Sequence, residues 1–420
     1  MKIAIVGFGR EGQSILKALK NYSSSKNSEI WILDENSKTK TPKGINKQLG
    51  KNYLKNLDSF DIVFRSPGIP YLLPEFIKAR KNGVKFSSAT KLFFAHCPGT
   101  IIGITGTKGK GTTATLLYQI LKSAKKDVYL VGNIGTKDWL NLLPEMSKNS
   151  SVVFELSSFQ LQDLTQSPHL AIILDIDVDH LDHHRNIKEY VESKSNISRF
   201  QTKNDFVFYW PENKSASKIA QLGKAKKIKL SAKNFNLFFK NDLYLPAPHQ
   251  FKNAIAATET AKKLGIKESV IKKTVKEFRG LKFRLEHLTT KNGIKYYNDS
   301  ASTNPHATIA ALQAFQTPFI LIAGGRNKGA SFKQLGQAID NSLAQEVILI
   351  GESQALIAKE IKRTPVSTAN TLREALQKAE DLACSGDSIL FSPACSSFDM
   401  FKNYVDRSQQ FEKLVAPIVY

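Results

Sequence analysis

Short apolar runs recur along the chain, separated by stretches whose apolar residues fall at helical spacing. In the first part, Lys2–Val6 and Glu29–Leu33 read as buried strands with helix-compatible sequence between them. Asp61–Phe64 reads as a third strand, ending at Ser66-Pro67-Gly68. That alternation predicts a parallel sheet. In the middle part, Ile101–Ile104 runs into a glycine-rich turn, and Leu116, Leu117, Ile120 and Leu121 mark the buried stripe of the helix that follows. Ser151–Phe154 and Leu170–Leu174 read as further strands, and a helix from Asn253 to about Leu264 is closed by Gly265. In the last part, Phe319–Ala323, Val347–Ile350 and Ile389–Phe391 are buried strands separated by helical stretches. The pattern predicts an α/β protein of three domains, spanning residues 1–91, 92–280 and 281–420.

Composition adjusts this picture only slightly. The 420 residues are 41% hydrophobic, enough for real cores, and no apolar run is long enough to span a bilayer. The chain opens directly into the strand Ile3–Val6, with no signal-peptide layout. Cys97, Cys384 and Cys395 are too scattered for a disulfide framework or a zinc site, so a reducing cytoplasm is expected. The formal net charge of +23 raises nucleic acid or anionic lipid as partners. Its lysines are dispersed, however, as at Lys81, Lys91, Lys125, Lys203, Lys224 and Lys272, and there is no basic tail, zinc finger or aromatic-basic RNA motif. We expect a solvated Lys-rich surface with some attraction for anionic nucleotides, no nucleic-acid or membrane partner, and a monomer.

The strongest chemical signal is Gly103-Ile104-Thr105-Gly106-Thr107-Lys108-Gly109-Lys110-Gly111-Thr112-Thr113, with a strand leading in and an amphipathic helix leading out. Glycines let backbone N–H groups approach phosphate oxygens, the helix N-terminus adds partial positive charge, and Lys110 is placed to reach the β- and γ-phosphates. Usually a Ser or Thr directly follows this Lys. Here Gly111 does, and the hydroxyls come at Thr112 and Thr113.

Other chemistry clusters around this loop. Glu155 ends an apolar strand, a position suited to a magnesium ligand. Asp177-Val178-Asp179-His180-Leu181-Asp182-His183-His184 is dense in possible ligands, but its spacing matches no zinc pattern, and His183 and His184 read as surface residues. On a helix from Asn186 onward, Ile187, Tyr190, Val191, Lys194 and Ile197 share one face. A lysine on an inward stripe is paired, neutral, modified or snorkelling. At the N-terminus, Gly7-Phe8-Gly9-Arg10-Glu11-Gly12 is a Gly-x-Gly-x-x-Gly after a strand, and Asp34 closes the next strand at the spacing of a ribose-binding acid. Alone, this suggests a dinucleotide domain; the same geometry would hold a UDP diphosphate.

Together these motifs resemble the Mur ligase and folylpolyglutamate synthase superfamily, over nearly the whole chain from Gly7 to Arg407. The Gly-Thr-x-Gly-Lys loop carries the resemblance. So does Glu155-Leu156-Ser157-Ser158-Phe159-Gln160, which is similar to the signature of the D-glutamate-adding branch, as is Pro393-Ala394-Cys395-Ser396-Ser397-Phe398-Asp399. The resemblance implies a UDP-substrate-binding Rossmann-like domain, a central P-loop ATPase domain with a parallel-rich sheet, and a Rossmann-like amino-acid-binding domain. It implies an ATP-dependent ligase that uses two magnesium ions. Metal ligands would be Thr112, Glu155, His180 and a carbamylated Lys194, with Lys110, Lys194, His180 and Glu155 as the catalytic set. ATP would be held by residues 106–113 (Gly106, Thr107, Lys108, Gly109, Lys110, Gly111, Thr112 and Thr113), by Asn253 of the His249-x-x-x-Asn pattern, by Arg284 and by Asp299 at the ribose. The UDP substrate would meet Gly9, Arg10, Glu11, Asp34, Ser66, Gly68, Asn133 and His180. The amino acid would meet Thr303, Lys328, Ser397 and Tyr404. Two departures stand out: Phe283 replaces a usual His, and Ala301 replaces a usual Lys in Asn298-Asp299-Ser300-Ala301-Ser302-Thr303-Asn304.

The implied chemistry is activation of a carboxylate as an acyl phosphate, followed by attack of an amine. Gly111 brings the chain toward the folylpolyglutamate branch, while the Ser-Ser-Phe-Gln and Ala-Cys-Ser-Ser-Phe-Asp runs point away from it. A nicotinamide oxidoreductase leaves Lys110, Glu155 and His180 unexplained. A nucleic-acid-stimulated NTPase rests on charge alone.

Overall fold

The buried apolar runs form the inner strands of three sheets. The computed structural model describes residues 1–21, 28–135, 138–177, 186–243, 248–327 and 329–416. The chain gathers into two compact units, Met1–Leu237 with Lys252–Thr274, and Phe238–Phe251 with Val275–Tyr420. The first unit holds two sheets and the second holds one.

Sheet one comprises β1 (Lys2–Val6), β2 (Glu29–Asp34), β3 (Asn46–Leu49), β4 (Ile62–Arg65) and β5 (Lys85–Ser87). Its order is β3-β2-β1-β4-β5 and every pairing is parallel. Sheet two comprises β6 (Thr100–Thr105), β7 (Val128–Gly132), β8 (Ser151–Glu155), β9 (Leu170–Ile173), β10 (Phe206–Tyr209) and β11 (Lys226–Lys229). It is likewise wholly parallel, in the order β11-β10-β9-β6-β8-β7. Helices flanking parallel strands bury both faces, which is why the central strands are continuously apolar. Phe93, Trp139 and Phe154 meet edge to face, with ring centroids 5.0–5.5 Å apart, in a core shared by these two sheets.

Sheet three comprises β12 (Glu286–Lys291), β13 (Ile294–Asn298), β14 (Phe319–Gly324), β15 (Ala344–Ile350), β16 (Val366–Thr368) and β17 (Ser388–Phe391). Its order is β12-β13-β17-β14-β15-β16, with the β12–β13 hairpin as its antiparallel edge. The hairpin turns at Asn292-Gly293, both at positive φ, the backbone that Asn-Gly supplies at low cost.

The periodicity places the central strands to within a few residues and misses others. The edge strands β3 (Asn-Lys-Gln-Leu) and β11 (Lys-Lys-Ile-Lys) are mostly polar, because an edge strand needs little apolar sequence. The helix expected from Asn253 starts earlier, at Pro248. Among the six lysines expected at the surface, Lys91 is half-buried and its Nζ donates to the Phe86 carbonyl at 3.3 Å. Burial lowers its pKa. No helix among the described residues is long and apolar enough to cross a membrane.

Candidate functional site

The turn between β6 and the helix Lys110–Ser123 is built by close backbone approach. Gly109 lies at φ 82°, and a Cβ there would sit 2.2 Å from Oδ1 of Asn253. The glycine thus lets buried Asn253 pack directly on the loop. The Thr107 N–H donates to the Asp175 carbonyl at 2.8 Å. Its Oγ1 accepts from the Asp177 N–H at 2.8 Å and bonds the Tyr190 hydroxyl at 3.0 Å. Thr107 is therefore a brace of the loop, while Lys108 is exposed. Lys110 Nζ donates to the carbonyls of Gly106 (3.2 Å) and Thr107 (3.1 Å).

Lys194 converges on the same point. It lies on the helix Ile187–Arg199, capped by Asn186, and is only 1% exposed. Its Nζ donates to the Gly106 carbonyl at 3.0 Å, lies 3.5 Å from Thr105 Oγ1, and sits 4.6 Å over the Tyr190 ring. Snorkelling is ruled out by that burial. Ile187, expected on the inward stripe, is exposed, since it opens the first turn. Glu155 ends β8 beside Ile104 of β6 and is buried. Its Oε2 has no hydrogen-bond partner among the described residues, nor does Thr113 Oγ1. A sealed carboxylate oxygen without a donor fits a group that takes a cation when the site is loaded. Thr113 is fully buried whereas Thr112 is half-exposed. His180, His183 and His184, with the rest of 178–185, lie outside the described residues. Among the described residues no three His, Cys, Asp or Glu gather as a metal cluster.

The N-terminal fingerprint is tightly packed at its first and third glycines, Gly7 and Gly12. A Cβ on Gly12 would lie 2.3 Å from the Gly7 carbonyl oxygen. Asp34 accepts from the Phe8 N–H at 2.7 Å and from the Asn36 N–H at 2.9 Å, so it holds the turn. Gly9 and Arg10 are exposed at the start of the helix Arg10–Asn21. Glu11 turns inward, where its Oε1 accepts from Gln160 Nε2 at 3.1 Å, and burial pushes its carboxyl up to about 7. Ser66 Oγ donates to the Gly7 carbonyl at 2.6 Å, joining the Ser66–Gly68 loop to the fingerprint. Asn133 is exposed after β7.

In the second unit the expected residues lie around the ends of β13, β14 and β17. Phe283 and Leu285 both take positive φ (65° and 46°), unusual for such side chains, and leave Arg284 exposed between them. Asp299 is buried and already occupied: it accepts from the Leu285 N–H at 3.1 Å and from Ser392 Oγ at 2.6 Å. Burial raises its carboxyl to about 6. This geometry makes it a brace for the Arg284 turn. Thr303 is half-buried, Ser397 is buried, and Tyr404 is exposed, its carbonyl accepting from Ser300 Oγ at 3.1 Å. Lys328 lies outside the described residues. Ala301 sits at the same turn, its N–H on the Phe283 carbonyl at 2.9 Å.

Two buried arginines escape sequence reasoning. Arg407 donates to Ser300 Oγ, the Ser300 carbonyl and the Cys395 carbonyl at 3.0–3.1 Å, locking the 300 and 395 segments together. Arg65 does the same in the first unit, from the end of β4. For Arg65 the one available signal is a charged residue closing an otherwise apolar strand; Arg407, inside the helix Tyr404–Val415, offers none.

The Mur ligase middle domain matches residues 104–264, and the Mur ligase glutamate ligase domain matches residues 283–395. The UDP-N-acetylmuramoylalanine–D-glutamate ligase of Clostridium tetani is 33% identical over 444 residues, covering 99% of this chain and 96% of that protein. That of Acetivibrio thermocellus is also 33% identical, over 456 residues, with the same coverage. Among solved structures, the UDP-N-acetylmuramate–alanine ligase of Thermotoga maritima shares the fold, with TM-score 0.57 and 20% identity over 98% of both chains. The MurF ligase of the same organism, in complex with ADP, gives TM-score 0.58 at 16% identity, over 98% of this chain and 94% of that one. With relatives this similar along nearly its full length, the chain belongs to the Mur ligase family.

Proposed function

We propose that the chain joins D-glutamate to UDP-N-acetylmuramoyl-L-alanine at the expense of ATP, a step in making peptidoglycan precursor. The observation that carries this reading is the convergence of Lys110 and Lys194 on the Gly106 carbonyl, beside the sealed Glu155 carboxylate. The Lys110 ammonium at a glycine-rich strand-to-helix turn suits a polyphosphate, and the buried Lys194 Nζ beside it is placed to carry a metal-binding carbamate. The curated relatives carry that acid–amino acid ligase name over the full chain.

In this reading the terminal carboxylate of the nucleotide substrate attacks the γ-phosphorus, giving an acyl phosphate and ADP. The amine of D-glutamate then attacks the acyl carbon; the C–N bond forms, the C–O bond breaks with its electron pair leaving on phosphate, and the nitrogen gives up a proton to solvent. Lys110 swings from its loop carbonyls to the β- and γ-phosphates and offsets the charge that spreads over the transferred group. The loop N–H groups and the N-terminus of the helix Lys110–Ser123 hold the remaining oxygens, and Asn253 keeps the loop in shape. Magnesium ions, held by Thr112, Glu155, His180 and a carbamate on Lys194, would neutralise phosphate charge. Gly9, Arg10, Ser66, Gly68 and Asn133 take the UDP end, with Glu11 and Asp34 shaping that turn from within. Arg284 takes ATP phosphate, and Thr303, Lys328, Ser397 and Tyr404 take D-glutamate. We assign these tasks to domains 1–91, 92–280 and 281–420.

The test is phosphate release from ATP with UDP-N-acetylmuramoyl-L-alanine, comparing D-glutamate, L-glutamate and other amino acids. Release should require both substrates and select D-glutamate. Equal release with a folate acceptor and L-glutamate would favour the folylpolyglutamate branch that Gly111 resembles.

A further inference from the structure

We propose that Arg65 is a positioning residue that sets the spacing between the loop for the nucleotide substrate and the turn that carries Glu155. The inference rests on the proposed function for what occupies those two places.

Arg65 ends β4, and both its guanidinium and its near neighbour Asp163 are 1% exposed, with 3.6 Å between Nη2 and Oδ1. Its hydrogen bonds go in two directions. Nη1 donates to the Ile69 carbonyl at 2.7 Å and faces the Pro67 carbonyl at 3.4 Å, which shapes the loop after Ser66. Nη2 donates to the Phe159 carbonyl at 2.9 Å, in the helix Ser158–Leu161. That helix follows Glu155 within three residues, and a capping box of Ser157 and Gln160 fixes its start. The planar fork of one arginine thus spans two segments far apart in sequence, which a lysine's single ammonium cannot do at both carbonyls.

Both segments line one cleft of about 300 Å³, with Pro67, Gly68, Tyr71, Phe159, Gln162 and Glu189 among its walls. Tyr71 packs 5.4 Å from the Arg65 guanidinium and 4.1 Å from that of Arg80. The second tie across the same junction is Gln160 Nε2 to Glu11 Oε1, from the fingerprint helix. A substrate anchored at Ser66 and Gly68 and reacting near Glu155 must bridge these walls. Reaction in such a site depends on the distance between its ends.

The experiment uses the full chain with Arg65→Met and Arg65→Lys, checked for folding by thermal melting and gel filtration. Folded Arg65→Met should lose about 100-fold in kcat, the cost of a misplacement near 1 Å. Its affinity for UDP-N-acetylmuramoyl-L-alanine should fall about tenfold, while KM for ATP and D-glutamate stays within about twofold. Arg65→Lys, which keeps the charge but loses the fork, should recover part of both. If Arg65→Met does not fold, Arg65→Lys alone decides, with a kcat loss of about tenfold expected. Wild-type kinetics in either folded variant, or equal losses for all three substrates, overturn the proposal. A wild-type chain that binds the nucleotide but makes no amide removes the proposed function only, and Arg65 is then judged on nucleotide affinity. A wild-type chain with no affinity for the nucleotide overturns both.

Discussion

At the scale of single residues, the chemistry turns on where charge and hydroxyls are sealed. Lys110→Ala should fold normally and lose turnover by orders of magnitude, measured as phosphate release, because the charge opposite the transferred phosphoryl group is gone. A near-normal rate in that variant would end the ATP assignment. The displaced hydroxyl gives a sharper comparison. Thr113 is fully buried with an unpartnered Oγ1, so Thr113→Val should keep the magnesium dependence and cost no stability. Thr112 is half-exposed at the same helix start. Thr112→Val should raise the magnesium concentration needed for half-maximal rate; the opposite order of effects would mean that the loop presents Thr113 instead. For Lys194, burial against Gly106 and Tyr190 excludes a merely solvated role. If a carbamate forms there, Lys194→Ala should be inactive and partly restored by acetate, and full activity without acetate would refute the modification.

At the scale of elements, the junction between the fingerprint helix and the helix Ser158–Leu161 carries a pH dependence. Glu11 is held near 7 by burial, with the Gln160 hydrogen bond and Arg65 pulling the other way and Asp163 adding to the rise. A carboxyl raised above its unfolded value binds its proton more tightly when folded. Its contribution to stability is therefore greatest below about 4.5 and declines as pH rises through about 7. Glu11→Gln keeps an acceptor for Gln160 but cannot ionise. It should melt higher than the parent at pH 8, by on the order of 1–3 kcal/mol, and match it near pH 5. A constant difference across that range would show that Glu11 does not titrate there. The same junction marks where sequence reading stops. The continuously apolar β1, β6, β14 and β17 are legible because burial on both faces leaves one solution for such runs. The phosphate loop and Glu155 are legible because strand, turn and helix are local. The β12–β13 hairpin carried a legible Asn292-Gly293 signal that strand periodicity passed over. Arg65, Arg407 and the inward turn of Glu11 depend on partners some 100 residues away or more in two of the three cases, and no local pattern encodes those distances.

At the scale of the whole molecule, the charge of +23 has to be reconciled with an enzyme whose proposed substrates are all anions. Lys81 and Lys272 are exposed on two helices and Lys125, Lys203 and Lys224 in turns between elements, which spreads the field along the chain. A dispersed positive field raises the local concentration of small anions and speeds their encounter, but it acts little on the chemical step once they are bound. Salt screens that field over about 10 Å at 0.1 M and about 3 Å at 1 M. Raising ionic strength from about 0.05 to 0.5 M should therefore lower kcat/KM for the nucleotide substrate several-fold and leave kcat nearly unchanged. A polyanion such as duplex DNA should at most compete with the nucleotide, with no stimulation of ATP hydrolysis. The measurement is a series of initial rates at fixed magnesium, with potassium chloride as the variable. A flat kcat/KM would assign the lysines to solvation alone. Hydrolysis stimulated by DNA would instead revive a nucleic-acid role for the charge.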